Sequence, residues 1–149
     1  MEPALESIST YIFRASLKPR LYRDIEIGND ASLAKFADAI VTAFDFDSDH
    51  AYGFFSKLTG NIYQSPVRYE LFADVDSGGT ARSVKRTKVR QAFASVGSKM
   101  LFLYDYGDEW RFKVEVIGLG EKVPKAQYPK TVATMGNAPA QYPDPDEDD

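Results

Sequence analysis

The chain has 149 residues with a formal charge of −4, from 18 Lys or Arg against 22 Asp or Glu, and it contains one histidine and no cysteine. This composition excludes disulfide frameworks, thiolate metal sites and cysteine nucleophiles, and His50 alone cannot build a histidine metal site. Residues 1–10 lack a signal-peptide pattern and no run of about 18 apolar residues occurs, so we expect a soluble, cytoplasmic protein without membrane contact.

The first predicted elements are two strands joined by a turn at residues 18–20. Apolar and polar residues alternate over residues 11–17 and again over 21–27, which is typical of a hairpin with one buried face. A helix follows, capped by either Asp30 or Ser32. It is predicted because apolar residues recur at helical spacing: Leu33, Phe36, Ala37, Ile40, Val41 and Phe44.

The middle of the chain carries weaker patterns. Two strands are predicted around residues 50–57 and 67–73, and residues 76–80 predict a flexible loop. A short second helix is predicted over residues 88–95, with Thr87 as its cap and Gly97 at its end. Its inner face would consist of Val89, Ala92, Phe93 and Val96.

A last hairpin is predicted from residues 100–106 and 109–119, with Gly107 and Asp108 as a two-residue type II′ turn. In that register Asp105 faces Trp110 on an otherwise apolar surface. The order of elements predicts a single α+β domain over residues 1–121, with a mainly antiparallel sheet and its helices packed on one face.

Residues 122–149 differ from this domain in composition. Four prolines between residues 122 and 143 predict an extended arm that docks on the domain through Tyr128, Val132 and Tyr142. Residues 144–149 contain five acids and no base, and without them the formal charge would be +1. We therefore interpret the chain as a nearly neutral domain with a Pro-rich arm and an acidic tail.

Asp105 has two interpretations. A carboxylate placed against Trp110 could act as a general acid or base with Asp108 or Glu109, which would make the protein a hydrolase or transferase. The alternative, which we favour, is that Asp105 accepts a hydrogen bond from the Trp110 indole or from turn amides and thereby holds the hairpin together.

Other motifs of metal binding or catalysis are incomplete. Asp45, Asp47 and Asp49 imitate the start of a calcium loop, but the sixth position is His50 instead of glycine and the twelfth is Ser56 instead of glutamate. His50 would be the base of any serine mechanism, and no Gly-x-Ser-x-Gly sequence presents a serine to it. We predict no metal ion and no cofactor.

Residues 82–90 form the most basic stretch of the chain. Five bases and no acid occur there: Arg82, Lys85, Arg86, Lys88 and Arg90. Clustered Lys and Arg neutralise phosphates, so weak nucleic-acid binding is an alternative function. The simpler interpretation is a solvated loop.

The sequence of residues 104–110, Tyr-Asp-Tyr-Gly-Asp-Glu-Trp, resembles the Tyr-Asp-Phe-Gly-Asp-x-Trp signature of proteins similar to the third open reading frame of the Ri plasmid, also called transposon-passenger or TnpR-like proteins. Residues 19–23 are similar to that family's Pro-x-Ile-Trp-Arg, and residues 50–54 to its His-Leu-x-x-Phe. The resemblance supports the α+β fold and implies an association with mobile elements, but it implies no activity. It marks these residues as a motif or ligand surface: Tyr22, Arg23, His50, Asp105, Asp108 and Trp110.

The chain departs from the family at two histidine positions. Members commonly have a histidine in the first helix, where this chain has Phe36 and Ala37, and another two residues after the hairpin tryptophan, where it has Phe112. The resemblance therefore argues against a metal centre. We predict a small non-enzymatic binding or interaction domain with a protein or nucleic-acid partner.

Overall fold

The computed structural model describes residues 9–71 and 81–141, which form one eight-stranded sheet with two α-helices and a 3₁₀ helix. The helices are α1 (Leu33–Ala43), α2 (Val89–Ala92) and the 3₁₀ helix (Ile62–Gln64). The sheet order is β5-β4-β3-β6-β7-β1-β2-β8, antiparallel throughout except between β4 and β5. The predicted α+β class with a mainly antiparallel sheet is confirmed. The strands are β1 (Ser9–Lys18), β2 (Leu21–Gly28), β3 (Tyr52–Phe55), β4 (Arg68–Glu70), β5 (Arg82–Ser83), β6 (Lys99–Tyr104), β7 (Trp110–Glu121) and β8 (Lys130–Met135).

The first hairpin and the helix after it lie where the alternation and the helical spacing place them. Ser32 caps α1, because its hydroxyl accepts a hydrogen bond of 3.0 Å from the Lys35 N–H. The helix ends where Asp45 adopts a φ of 62°, and the Asp45 and Phe46 N–H groups bond carbonyls of the last turn.

Both α-helices contribute to one main core on the same face of the sheet. Phe36 of α1 lies at its centre, with ring centroids 4.2 Å from Phe13, 5.9 Å from Phe54 and 6.3 Å from Phe93. A smaller core lies on the opposite face, because strand side chains alternate between faces. There the 3₁₀ helix supplies Ile62 to a cluster with Phe55, Leu101 and Leu103.

The second helix is shorter than predicted, and its cap and part of its inner face were predicted wrongly. The Thr87 hydroxyl donates to the Ser83 carbonyl instead of capping α2. The first N–H groups of α2 are satisfied from elsewhere, since Val89 and Arg90 donate to the carbonyls of residues 31 and 29. The chain leaves the helix at Phe93, whose ring enters the core, so that Val96 is 51% exposed.

The last hairpin exists, but its predicted register was wrong by one residue. Tyr104 pairs with Trp110 and Phe102 with Phe112, so the connection is the five residues 105–109 instead of a two-residue turn. Asp105 and Glu109 adopt positive φ values of 68° and 54°, which a two-residue type II′ turn does not provide. Tyr104 and Phe102 therefore enter the main core with Phe112.

The Pro-rich arm contains a strand that the sequence analysis missed. Residues 130–135 pair antiparallel with β2 as β8, one edge of the sheet. The Tyr128 hydroxyl accepts a hydrogen bond from the Val123 N–H, and Val132 is 46% exposed. Predicted features at residues 72–73, 76–80 and 142–149, including Tyr142 and the acidic tail, lie outside the described residues. No helix in the described ranges is long and apolar enough to span a bilayer.

Candidate functional site

Asp105 organises the turn between β6 and β7. One carboxylate oxygen, Oδ1, accepts from the N–H groups of Gly107 at 3.0 Å and Asp108 at 3.3 Å. The other, Oδ2, lies 3.6 Å from Nδ1 of His50, and the Asp105 N–H donates to the Ala51 carbonyl. The buried Asp105 thus binds the turn amides, one of the two structural partners expected from the sequence, and joins the turn to the segment before β3.

His50 belongs to residues 44–50, which make up all but the last residue of the segment between α1 and β3. Its ring nitrogen Nε2 lies 3.3 Å from Asp49 Oδ1, and its backbone N–H donates to the Tyr104 hydroxyl. That hydroxyl in turn donates to the Asp47 carbonyl, and burial raises the pKa of the Tyr104 phenol. Gln141 accepts from the Asp47 N–H at 2.6 Å, so the segment is tied to the end of the described chain as well.

Trp110 and Arg23 contact the same segment from the core side. The Trp110 ring lies edge-on to Phe46 at 4.9 Å, and its buried indole N–H has no partner among the described residues. Phe46 neighbours Phe44 at 6.5 Å, and the Arg23 guanidinium lies 4.8 Å from the Phe44 ring. Three of the motif residues, Arg23, Asp105 and Trp110, therefore surround residues 44–50, and a fourth, His50, belongs to them.

Arg23 is a buried residue with three backbone partners. Its Nε donates to the carbonyl of Ala43, the last residue of α1, and its Nη1 donates to the carbonyls of Tyr22 and Met135. Since α1 has no basic residue in its last turn, Arg23 supplies the positive charge that the helix dipole favours there. Arg23 thus connects α1, β2 and β8.

Tyr22 and Asp108 lie apart from these buried contacts. The Tyr22 ring stacks against the Arg14 guanidinium at 3.8 Å, on the sheet face opposite the helices. A bidentate hydrogen bond with Asp24 raises the pKa of Arg14. Asp108 is exposed in the turn, where its N–H donates to Asp105.

Glu109, the last carboxylate proposed for catalysis, has two side-chain partners. Glu109 accepts from the Tyr63 hydroxyl at 2.9 Å and from Arg111 at 3.1 Å, and these contacts lower the pKa of its carboxyl. Burial, followed by a hydrogen bond to Glu70, raises the pKa of the Tyr106 phenol. Within the described residues, no three His, Cys, Asp or Glu side chains are arranged to hold a metal ion.

The basic residues 82–90 lie at the β5 edge of the sheet and along α2. Arg82, Lys85, Arg86 and Lys88 are exposed, and Arg90 is half-buried. The Arg90 N–H donates to the Asn29 carbonyl, which fixes the start of α2 against the end of β2. The bases are thus presented on a backbone that is anchored to the domain.

The structure adds a surface that the sequence analysis did not identify, along the edge strand β8. All six of its residues are exposed, and a groove of about 620 Å³ separates its start from the flank of α1. The helix side of the groove includes two small residues, Ala39 and Ala43, which leave space above Ile25. The groove is lined by Ile25, Lys35, Asp38, Ala39, Thr42, Ala43, Pro129, Lys130 and Thr131.

A second cavity of about 320 Å³ adjoins the groove at the start of β8. Lys35 and Pro129 line both spaces, and Lys122 and Tyr128 line the second. Lys122 Nζ lies 3.6 Å from Asp30 Oδ1, whereas Lys35 forms no ion pair within the described ranges. Two further cavities, of about 470 and 440 Å³, lie around Arg14 and Lys113. Asp105, Asp108 and Glu109 line none of these four.

Comparison with known proteins gives a family and a fold. Residues 11–142 match the family model described as plasmid pRiA4b ORF-3-like protein. No curated protein matches the chain. The crystal structure of a protein of unknown function from Methanosarcina mazei Go1 is similar with a TM-score of 0.70 and 22% identity, over 85% of this chain and 70% of that one.

Proposed function

The chain belongs to the plasmid pRiA4b ORF-3-like family, for which no specific activity is established, and we propose that it is a binding domain that accepts an extended peptide of a partner protein along β8. The single observation that carries this proposal is an exposed edge strand beside an open groove. The proposed partner segment adds to the sheet as a ninth strand. This binding mode, β-strand addition, is a recurrent form of peptide recognition.

The chemistry of β8 supports strand addition. An edge strand presents backbone N–H and C=O groups that another strand can pair with, and natural proteins usually protect such edges with charges, prolines or bulges. Lys130 is the only charged residue within β8, and Val132 and Met135 are 46% and 43% exposed. The protection of β8 is limited to Lys130 and one irregularity of pairing with β2, between residues 24 and 25.

The groove supplies a means of selecting side chains. Alternate residues of an added strand point toward the helix side of the sheet, where Ile25, Ala39 and Ala43 offer apolar contacts. Lys35 and Asp38 stand exposed on α1 at the rim. Backbone pairing would provide affinity, and the groove would provide preference for particular side chains.

Filling the groove should prevent peptide binding without unfolding the protein. A randomised library of ten-residue peptides with free C-termini provides the probe, and its tightest binder is measured by calorimetry. We expect Thr42→Trp, which places a large ring at the exposed groove wall, to weaken binding by ten-fold or more. N-methylation of alternate peptide residues should weaken it similarly, because it removes backbone donors.

Thr59→Trp is the matched control, since Thr59 is also exposed but lines a different cavity. It should leave affinity within about two-fold, and both variants should unfold at the wild-type temperature. The proposal is wrong if no library peptide binds, or if the tightest peptide binds the Thr42→Trp variant as well as the wild type.

A second candidate function is nucleic-acid binding through residues 82–90. Its support is the exposure of four bases on one anchored stretch. Because each phosphate contact contributes about −0.9 to the salt slope on duplex DNA, losing two contacts in Lys85→Gln/Lys88→Gln should reduce the slope by about 1.8. Fluorescence anisotropy with a labelled duplex measures this.

The control for that titration is Lys57→Gln/Lys99→Gln, which removes the same charge from exposed lysines elsewhere. Absence of duplex binding at about 50 mM salt would eliminate this second function. An equal slope for the two double variants would also eliminate it, since the attraction would then be a property of total charge.

A further inference from the structure

We propose that β8 recognises the C-terminal end of its partner, with the free carboxylate bound by Lys35 and Lys122 at the start of β8. This inference rests on the proposed function and specifies the ligand class for that same site. It combines the direction of the added strand with the charges around the second cavity.

Strand direction places the end of the peptide. Antiparallel pairs outnumber parallel pairs and are slightly more stable per residue, and β8 itself pairs antiparallel with β2. A strand added antiparallel to β8 runs from Met135 toward Lys130. Its last residue therefore lies beside Pro129, at the border between the groove and the second cavity.

The second cavity has the charge to accept a carboxylate. Lys35 lines both spaces and has no ion-pair partner within the described residues, so its ammonium is available to a ligand. Lys122 is only loosely paired, because its Nζ is 3.6 Å from Asp30 Oδ1, which is longer than a good charge-assisted hydrogen bond. A peptide carboxylate would therefore meet two ammonium groups and one carboxylate.

Other residues favour binding of the carboxylate at the start of β8 over binding in the middle of the groove. Asp38 lies about one turn along α1 from Lys35 and would repel a carboxylate placed farther along. Because Gly28 has no side chain, the Lys122 side chain can lie against it. A Cβ atom at residue 28 would lie only 2.8 Å from Lys122 Cε. Lys122 consequently lies across the end of β2, within reach of the cavity.

The test compares two forms of one peptide. The tightest binder from the free-carboxyl library is synthesised as the free acid and as the C-terminal amide, and both are titrated by calorimetry at low salt. We expect the acid to bind wild-type protein at least ten-fold more tightly than the amide. Lys35→Gln should reduce that ratio to about two-fold or less, whereas the control Lys57→Gln, at an exposed lysine elsewhere, should preserve it.

The outcomes separate this inference from the proposed function. Equal binding of acid and amide to the wild type, with loss of both in Thr42→Trp, would overturn carboxylate recognition and leave strand addition intact. If Lys35→Gln leaves the ratio of acid to amide affinity unchanged, carboxylate recognition is also overturned. Failure of every library peptide to bind would overturn both. Lys35 is exposed, so thermal unfolding of Lys35→Gln should match the wild type and confirm that the comparison is between folded proteins.

Discussion

Replacing Arg23 with methionine should lower the free energy of unfolding by about 3 kcal/mol, because three partly buried carbonyls lose their donor. Arg23 is 6% exposed and donates to the carbonyls of Tyr22, Ala43 and Met135. Methionine preserves much of the side-chain volume but supplies neither hydrogen bonds nor the charge at the end of α1. Urea unfolding monitored by circular dichroism gives the change directly.

Arg20→Met is the matched control for this variant, because Arg20 is an exposed arginine in the preceding turn. Its unfolding free energy should stay within about 0.5 kcal/mol of the wild type. Arg23→Lys should recover only part of the stability, since one ammonium cannot reproduce the geometry of the guanidinium. A loss below about 1 kcal/mol in Arg23→Met would show that Arg23 does not join α1 to β8 as described.

Replacing Asp105 with alanine should lower the free energy of unfolding by about 2–4 kcal/mol. The Gly107 and Asp108 N–H groups lose their common acceptor, which costs about 1–3 kcal/mol, and alanine tolerates the φ of 68° poorly, which costs about 1 kcal/mol more. The same variant releases the contact with His50, so residues 44–50 should exchange amide hydrogen faster.

Asp105→Asn separates these causes. Asparagine keeps an acceptor oxygen in the same position and adopts positive φ more readily than alanine, so we expect a loss below about 1 kcal/mol. If alanine and asparagine destabilise the protein equally, the charge of Asp105 is its main contribution instead of turn geometry. Full stability in Asp105→Ala would contradict the structural role altogether.

The hairpin shows why the sequence predicted the elements better than their register. Both strands of the hairpin were predicted, but Met100–Tyr104 is apolar at every position, so alternation could not distinguish the two faces of that strand. The choice between registers depended on the turn. Gly107 and Asp108 suggested a two-residue connection, whereas Asp105 binds the turn amides and lengthens it to five residues. Such a side-chain contact is tertiary information that spacing does not contain.

The edge strand was missed for a different reason. The prolines at positions 124, 129 and 139 predicted an irregular arm. A proline can, however, occupy the position just before a strand. The run Thr131-Val132-Ala133-Thr134 has β-branched residues at three of four positions, which was the available signal. The groove exists because of where α1 packs relative to β8, and no local sequence pattern predicts that packing.

The motif residues illustrate the limit of inference from resemblance. Arg23, His50, Asp105 and Trp110 were expected as a motif or ligand surface, and the structure places them in or around residues 44–50 with mostly internal partners. Conserving such contacts would maintain the fold whatever the ligand. By contrast, all six residues of β8 are exposed, and so are four of the five bases in residues 82–90.

Amide hydrogen exchange of the protein bound to the tightest library peptide tests whether the peptide adds to β8 as a strand. We expect protection to rise in residues 130–135 and along the flank of α1, since newly paired backbone amides exchange slowly. We expect no comparable rise in residues 82–90 or 104–110. Protection confined to either of those segments, with β8 unchanged, would contradict strand addition at β8.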